Sequence, residues 1–106
     1  MTLPWLPDED SDSISVLVTA SEGLHARPAI KLSRLAKKFK SNLAVRANGV
    51  GEWADAKSVV RLMALKVEQG ARLDFAAKGD DAREALNQMH ALVTRDFNEM
   101  DRNRGG

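Results

Sequence analysis

Apolar and polar positions alternate with two different periods along the chain, and each change of period predicts a new element. Residues 14–20 (ISVLVTA) are β-branched and apolar and predict a strand. In residues 26–40 the apolar positions instead recur at i, i+3, i+4 and i+7, which predicts an amphipathic helix. Its predicted buried stripe is Ala29, Leu32, Leu35, Ala36 and Phe39.

A hairpin is predicted next. Residues 42–49 (NLAVRANG) have the composition of a strand, and Asn48-Gly49 at its end is typical of a tight hairpin turn. Residues 50–55 (VGEWAD) are then expected to form the short return strand.

A second helix is predicted from Ser58, as N-cap or first-turn residue, to about Glu68, with Gly70 closing it. Its expected inward face is Val59, Leu62 and Leu65, with Met63 also predicted to pack in the core.

A strand and a last helix complete the pattern. Residues 71–79 alternate apolar and polar positions as a half-buried strand does. Asp80 or Asp81 is expected to cap a helix over 81–97. The predicted stripe of that helix is Ala82, Ala85, Leu86, Met89, Val93 and Phe97.

The order βαββαβα predicts an α+β open-faced sandwich, with a four-stranded antiparallel sheet and three helices on one face. Residues 14–97 are expected to form the domain, between a tail or linker (1–13) and a C-terminal tail (98–106). The predicted core contains Phe39, Leu62, Phe75, Leu86 and Met89.

Composition excludes several classes of protein. The 106 residues include no cysteine, so a disulfide scaffold and a thiolate nucleophile or metal site are excluded. No stretch approaches the roughly 20 apolar residues of a membrane span, and the acidic start lacks the features of a signal peptide. Residues 1–13 hold four acidic and no basic residues, so the rest of the chain carries +5. This basic part of the chain suits an acidic protein partner better than nucleic acid, because it lacks a dense basic stripe with stacking aromatics.

The segment SEGLHARPAIKLSRLAKKF, residues 21–39, carries the candidate chemistry. His25 precedes a predicted helix start, where free backbone N–H groups and the helix dipole favour an anion. Arg27 adds a planar guanidinium that matches phosphate oxygens. The same field disfavours the imidazolium form of His25, and a neutral imidazole can accept a phosphoryl group. The alternative is that His25 is an ordinary surface or capping residue.

On a helical wheel, Ile30, Arg34 and Lys37 fall opposite the buried stripe. An apolar side chain among exposed cations below His25 is expected in a docking surface, although single exposed apolar residues are also common. His90 has no second histidine at i+4 and is expected at the surface or its boundary. No metal site and no cofactor are expected.

GLHARPA followed by an amphipathic helix resembles the active-site segment of HPr, the histidine phosphocarrier of the bacterial phosphoenolpyruvate-dependent sugar phosphotransferase system. The similarity continues through AKSVVRLMALKVEQG and KGDDAREAL and covers about residues 14–97. It implies that enzyme I, charged by phosphoenolpyruvate, phosphorylates His25 on Nδ1, and that an EIIA domain receives the group. Ala26 and Arg27 would stabilise the phosphate at the helix start.

The resemblance also implies a cytoplasmic covalent carrier rather than a free-standing catalyst, as a monomer or as a domain of a larger chain. Val60 joins Ile30, Arg34 and Lys37 as an expected docking residue. Ser58 matches a serine that HPr kinase phosphorylates in some bacteria. Arg61 stands where such members typically have glycine, so a plain N-cap is the favoured interpretation of Ser58.

Other functions stay open at this point. A regulatory HPr-like binding protein would use the fold without transfer, but such paralogues lack the histidine that His25 provides. A small nucleic-acid-binding domain is disfavoured by the sparse aromatics. Within the carrier class, sugar uptake, a nitrogen-related branch and phosphate supply to dihydroxyacetone kinase are alternatives. So is a module of a multidomain phosphotransferase.

Overall fold

A computed structural model describes residues 5–19 and 26–98, with side chains as far as Arg95. The predicted order of elements is confirmed. The strands are β1 (Asp12–Leu17), β2 (Asn42–Ala47), β3 (Ala54–Asp55) and β4 (Arg72–Lys78). The helices are α1 (Ala26–Ala36), α2 (Val59–Ala64) and α3 (Ala82–Leu92), and a π-helical segment, Val93–Asn98, follows α3.

The four strands form one antiparallel sheet in the order β1-β4-β2-β3. β4 lies in the middle, so Phe75 faces Ile14 of β1 on one side and Val45 of β2 on the other. The predicted sandwich, with three helices on one face of this sheet, is confirmed. None of the helices in the described ranges has the length and apolar content needed to cross a membrane.

The core between sheet and helices is built largely from the predicted residues. Leu62, Phe75, Leu86 and Met89 are fully buried, whereas Phe39 is only partly buried against the cluster. Every other residue of β4 faces the helices, because side chains alternate along a strand. These residues, with Ala71 just before the strand, are Leu73, Phe75 and Ala77.

Three predicted boundaries in the first half are wrong. β1 begins at Asp12 rather than at residue 14, and α1 ends at Ala36 rather than at residue 40. After α1 the chain tightens, because the N–H of Lys38 and of Phe39 each bond a carbonyl three residues back. The return strand predicted over 50–55 pairs only through Ala54–Asp55.

The turn before β3 explains that shortening. Asn48 and Gly49 have φ values of 57° and 69°, and the Val50 N–H bonds the Ala47 carbonyl, so the predicted tight turn is confirmed. Asn48 is also bonded to β4, because its N–H donates to the Arg72 carbonyl and its side-chain oxygen accepts from the Arg72 N–H. The chain beyond leaves the sheet, since Gly51 has a φ of 80° and Val50 is exposed.

α2 is shorter than predicted and is not closed by Gly70. It ends at Ala64 with Leu65 as C-cap, and Lys66 takes a left-handed conformation with φ 55°. The turn allows Val67 to enter the core. Glycine is the usual residue in a left-handed conformation at a helix end. The lysine at position 66 therefore did not predict that the helix ends there.

The predicted N-cap of α3 has the expected position but not the expected hydrogen bond. Asp81 occupies the N-cap position, but its carboxylate makes no hydrogen bond to the helix. It accepts instead from the backbone N–H of Lys40 and of Ser41, each at 2.9 Å, and from the Ser41 hydroxyl. The α-helical geometry of α3 ends at Leu92, but the chain stays helical through the π-helical segment Val93–Asn98 and so reaches the predicted end at residue 97. The side chain of Phe97 lies outside the described residues.

Candidate functional site

The described part of the candidate site begins at the first turn of α1. His25 itself lies outside the described residues, and α1 starts at the very next residue, Ala26. Ala26 and Arg27 are exposed, while Pro28 and Ala29 are buried against the core. The predicted phosphate-stabilising pair, Ala26 and Arg27, therefore lies on the solvent side of the helix start.

The chemistry of this turn favours an anion. The first N–H groups of a helix have no partner within the helix, and the dipole is positive at this end. Pro28 lacks an N–H, so Ala26, Arg27 and Ala29 supply the donors of the turn. No acidic residue lies in the first turn of α1 to oppose a negative group. The exposed Arg27 guanidinium adds a full positive charge at the same end.

One exposed stripe runs along α1 from this turn to Lys37, the residue directly after the helix. Arg27, Ile30, Arg34 and Lys37 are separated by three, four and three residues, which places them on one side of a helix. All four are exposed, and Ile30 retains 40% of its surface. The predicted exposure of Ile30, Arg34 and Lys37 is confirmed, and we call the four residues the α1 stripe.

α2 presents exposed apolar residues of its own. Val60, in its first turn, is 76% exposed, and Met63, three residues later, is 43% exposed. The prediction that Met63 packs in the core is wrong. Adjacent residues in a helix differ by about 100°, and Leu62 takes the inward position. The i, i+3 spacing from Val60 was the available signal that Met63 belongs to the outer face.

Ser58 is the N-cap of α2, as the favoured interpretation predicted. Its hydroxyl accepts a 3.3 Å hydrogen bond from the Arg61 N–H, and its own N–H donates to the Asp55 carbonyl. The residue has extended backbone angles, as an N-cap requires.

α1 and α2 are tied together beneath their exposed faces. The buried Ser33 hydroxyl in α1 donates a 2.9 Å hydrogen bond to the Lys57 carbonyl, just before α2. The Lys57 ammonium in turn donates to the Phe39 carbonyl at 3.0 Å, beyond the end of α1. These bonds fix the start of α2 against α1. Neither bond was predicted, because the partners are 24 and 18 residues apart in sequence.

The chain leading to the undescribed segment 20–25 is anchored on the connection between α2 and β4. Val18 exchanges 2.8 Å backbone hydrogen bonds with the Ala71 carbonyl and the Gly70 N–H. The Gln69 side-chain amide donates to the Thr19 carbonyl at 3.0 Å. This role of Gln69 could not be predicted from the sequence, because no periodicity distinguishes it from an ordinary loop glutamine.

His90, the second histidine, is exposed on α3. Within the described ranges, no group of three or more His, Asp or Glu side chains is close enough to hold a metal ion. The described residues thus offer a helix start whose chemistry favours an anion, beside an exposed, partly apolar and basic surface.

Comparison with known proteins agrees with this arrangement. The family model described as the PTS HPr component phosphorylation site matches residues 13–95. The NPr phosphocarrier protein of Proteus mirabilis is 42% identical over 77 residues, covering 73% of this chain and 84% of the relative. The HPr of Haemophilus influenzae is 38% identical over 81 residues, covering 76% of this chain and 93% of the relative.

Longer relatives match as well. A multiphosphoryl transfer protein of Escherichia coli O157:H7 is 35% identical over 94 residues, which are 88% of this chain and 25% of that protein. The chain therefore spans about a quarter of this relative. Among solved structures, HPr from Thermoanaerobacter tengcongensis superposes with a TM-score of 0.74 at 32% identity, covering 81% of this chain and 94% of that one. HPr from Bacillus anthracis gives 0.71 at 30%, covering 78% and 96%.

Proposed function

Because this chain belongs to the HPr family of phosphocarriers of the phosphotransferase system, we propose that His25 accepts a phosphoryl group from phosphorylated enzyme I and passes it to an EIIA-type domain. One observation carries the proposal. α1 starts at Ala26, directly after His25 in the chain, and its first turn combines exposed Arg27 with the absence of any acidic residue. A location in the cytoplasm is part of this proposal.

In this proposal His25 takes part in a phosphoryl exchange between two imidazole rings. A ring nitrogen of neutral His25 attacks phosphorus as the phosphorus–nitrogen bond to the donor histidine breaks. The same exchange then runs from His25 to the histidine of the acceptor. One phosphoramidate bond forms for each that breaks, so neither step needs a cofactor. The chain acts as a covalent intermediate, and its partners supply the remaining groups.

Arg27 and the helix start have a stabilising role in this proposal. Charge on the transferring phosphoryl oxygens is favoured by preorganised donors that need no reorganisation during the reaction. The N–H groups of Ala26 and Arg27 and the Arg27 guanidinium are such donors. Their exposure to water limits the effect, because solvent screens charge.

Partner docking is assigned in this proposal to the α1 stripe together with Val60 and Met63 of α2. Ile30, Val60 and Met63 supply exposed apolar contacts, while the cations of the stripe steer an acidic partner. The bond from Ser33 to Lys57 supports the proposal, because it holds the two helices in a fixed relation. Such a preformed surface suits a carrier that meets enzyme I and an EIIA domain in turn.

Ser58 is a regulatory candidate within the same proposal. A phosphate there would add negative charge two residues before Val60 and repel an acidic partner. HPr kinase is the enzyme that this modification would require, and Arg61 departs from the pattern of regulated members. The hydroxyl already has a capping role at the start of α2, so its presence is explained without phosphorylation.

The proposal is tested by labelling. The chain is incubated with enzyme I and radiolabelled phosphoenolpyruvate, as wild type, as His25→Ala and as His90→Ala. His90 is the matched control because it is the other histidine of the chain and is exposed. We expect acid-labile, base-stable label on wild type and His90→Ala and none on His25→Ala. Unlabelled wild type, or label on His25→Ala, would overturn the proposal.

A further inference from the structure

One arginine on the outer face of the sheet, the face away from the helices, has no acidic partner among the described residues. Arg46 follows the buried Val45 in β2, so its side chain points outward. The guanidinium lies over the ring of Trp53, with its Cζ 4.3 Å from the ring centroid. Its Nε is buried and has no acceptor, whereas Nη1 and Nη2 are not buried. The charge has therefore lost part of its hydration without gaining a hydrogen bond in return.

The carboxylate opposite Arg46 in the sheet is bonded to other groups. Asp74 of β4 is the register partner of Arg46. Its Oδ1 accepts a 2.6 Å hydrogen bond from the Ser15 hydroxyl and forms an ion pair with the Arg72 Nε at 3.1 Å. Arg46 stacks on Trp53 instead of joining this pair. A stacked guanidinium keeps the donors at its edge, and their planar arrangement fits a carboxylate from outside.

An apolar side chain lies on the same face. Leu17 of β1 is 53% exposed and is the register partner of Arg72. Leu17 and Arg46 are separated by two strand spacings and two residues, or roughly 12 Å. Leu17, Arg46, Trp53 and Arg72 form what we call the Arg46 patch. Trp and Arg are among the residue types most enriched at the centres of protein interfaces.

We propose that the Arg46 patch docks a partner protein, with an Asp or Glu side chain of the partner bonded to the edge of the Arg46 guanidinium. Apolar side chains of the partner pack on Trp53 and Leu17. Nucleic acid fits less well, because its phosphates require several uncompensated cations and the Asp74 carboxylate lies beside both arginines. The α1 stripe is on the helix side of the sheet, so this contact leaves it accessible and does not depend on the proposed function.

The first experiment is an NMR titration of the full ¹⁵N-labelled chain with a capped peptide of alternating Glu and Leu. The Arg46 Nε–H and the Trp53 indole N–H are the reporters, so binding of the peptide to the cations of α1 is recorded separately. A peptide with Gln in place of Glu is expected to bind at least about fivefold more weakly at these reporters, since it lacks the complementary charge. Reporters that do not move, or equal affinities of the two peptides, would overturn the proposal.

The second experiment removes the charge at two arginines in turn. Arg46→Gln is expected to weaken peptide binding at the Trp53 indole at least about fivefold, and Arg46→Lys to weaken it less, because lysine keeps the charge but not the planar donors. Arg34→Gln is the matched control, since Arg34 is an exposed arginine on the helix side. It should change binding at this reporter less than about twofold. Equal effects of Arg46→Gln and Arg34→Gln would overturn the assignment to the patch.

A third comparison tests the apolar contact. Leu17→Glu and Ser13→Glu both place a carboxylate at an exposed outward position of β1, but Leu17 lies beside Arg72 and Ser13 lies beside Ala76. We expect Leu17→Glu to weaken peptide binding at the Trp53 indole at least about threefold and Ser13→Glu less than about twofold. Equal effects would show that Leu17 makes no contact and contradict the extent of the patch.

Other occupants are distinguished by their own probes. Inorganic phosphate that moves the two reporters with the affinity of the peptide would reduce the patch to a simple anion site. A single-stranded oligonucleotide that binds there more tightly than the peptide would indicate nucleic acid. Reporter signals that depend on the concentration of the chain alone would indicate a second copy. Each of these results contradicts the proposal.

Discussion

The carboxylate of Asp81, at the start of α3, accepts hydrogen bonds from both the backbone N–H and the hydroxyl of Ser41, the residue before β2. A further bond comes from the Lys40 N–H at 2.9 Å. Gly79 makes the close approach possible, because a Cβ at this residue would lie 2.8 Å from the Ser41 Cα. The contact joins the chain segments that lead from α1 into β2 and from β4 into α3.

This contact makes stability depend on pH. The Ser41 hydroxyl, followed by the backbone N–H of Lys40, lowers the pKa of Asp81 below its ordinary value. A carboxyl whose pKa is lowered by folding contributes stability above its unfolded pKa and loses it as the pH falls through its folded pKa. We expect Asp81→Asn to unfold at lower urea concentration than wild type at about pH 7, with the difference shrinking as the pH falls below about 4.

Asp80→Asn is the control for that experiment, since Asp80 is the exposed neighbour and makes none of these bonds. A pH-independent gap between wild type and Asp81→Asn would contradict the assigned role of the carboxylate.

Leu62 and Met63 are neighbours in α2, but Leu62 packs in the core and Met63 lies at the surface. Leu62 is fully buried, so Leu62→Ala should lower the free energy of unfolding by about 2–5 kcal/mol. Met63→Ala removes a side chain that is 43% exposed and should cost less than about 1 kcal/mol. Chemical denaturation of both variants provides the comparison. Equal losses of stability would contradict the orientation of α2.

The order and faces of the elements could be predicted from the sequence because periodicity records which side of each element is buried. The alternation at Leu73, Phe75 and Ala77 placed β4 correctly, and the i, i+3, i+4 spacing placed Leu32 and Leu86. Helix ends were predicted less well. α2 stops through a left-handed Lys66, which precedes the buried Val67, and a lysine carries no local signal for that conformation.

In the candidate site, too, the exposed positions could be predicted from the sequence and the long-range contacts could not. The exposed positions Ile30, Arg34 and Lys37 follow from the helical wheel alone, and the structure agrees. The contacts that fix the surrounding frame join residues distant in sequence, as Ser33 with Lys57 and Gln69 with Thr19 do. Local pattern holds no information on such pairs, because they form only once the helices and strands have packed.

Docking by the α1 stripe predicts unequal effects of two substitutions. Ile30→Glu replaces a 40% exposed apolar residue with a charge and should lower the rate of transfer from phosphorylated enzyme I more than Lys37→Ala does. An apolar contact near an interface centre contributes more than a rim charge, whose loss mainly changes the association rate. Transfer rates are measured at subsaturating enzyme I. Wild-type rates for Ile30→Glu would exclude this face.

Arg27 is expected to stabilise the transferring group without bonding to it covalently. Arg27→Ala should slow single-turnover transfer by roughly 10² or less, since the site is open to water. Arg27→Lys should recover only part of the rate, because an ammonium does not reproduce the planar donors of a guanidinium. If Arg27→Ala transfers as fast as wild type to and from the chain, the arginine has no role in transfer.

The central claim is that the chain passes the phosphoryl group on to an acceptor and does not only accept it. The most direct measurement isolates the labelled chain after reaction with enzyme I and mixes it with unlabelled EIIA. We predict that label leaves wild type and His90→Ala and appears on EIIA, whereas His25→Ala carries none to transfer. Label that stays on the chain in the presence of EIIA, or that is carried by His25→Ala, would contradict the account.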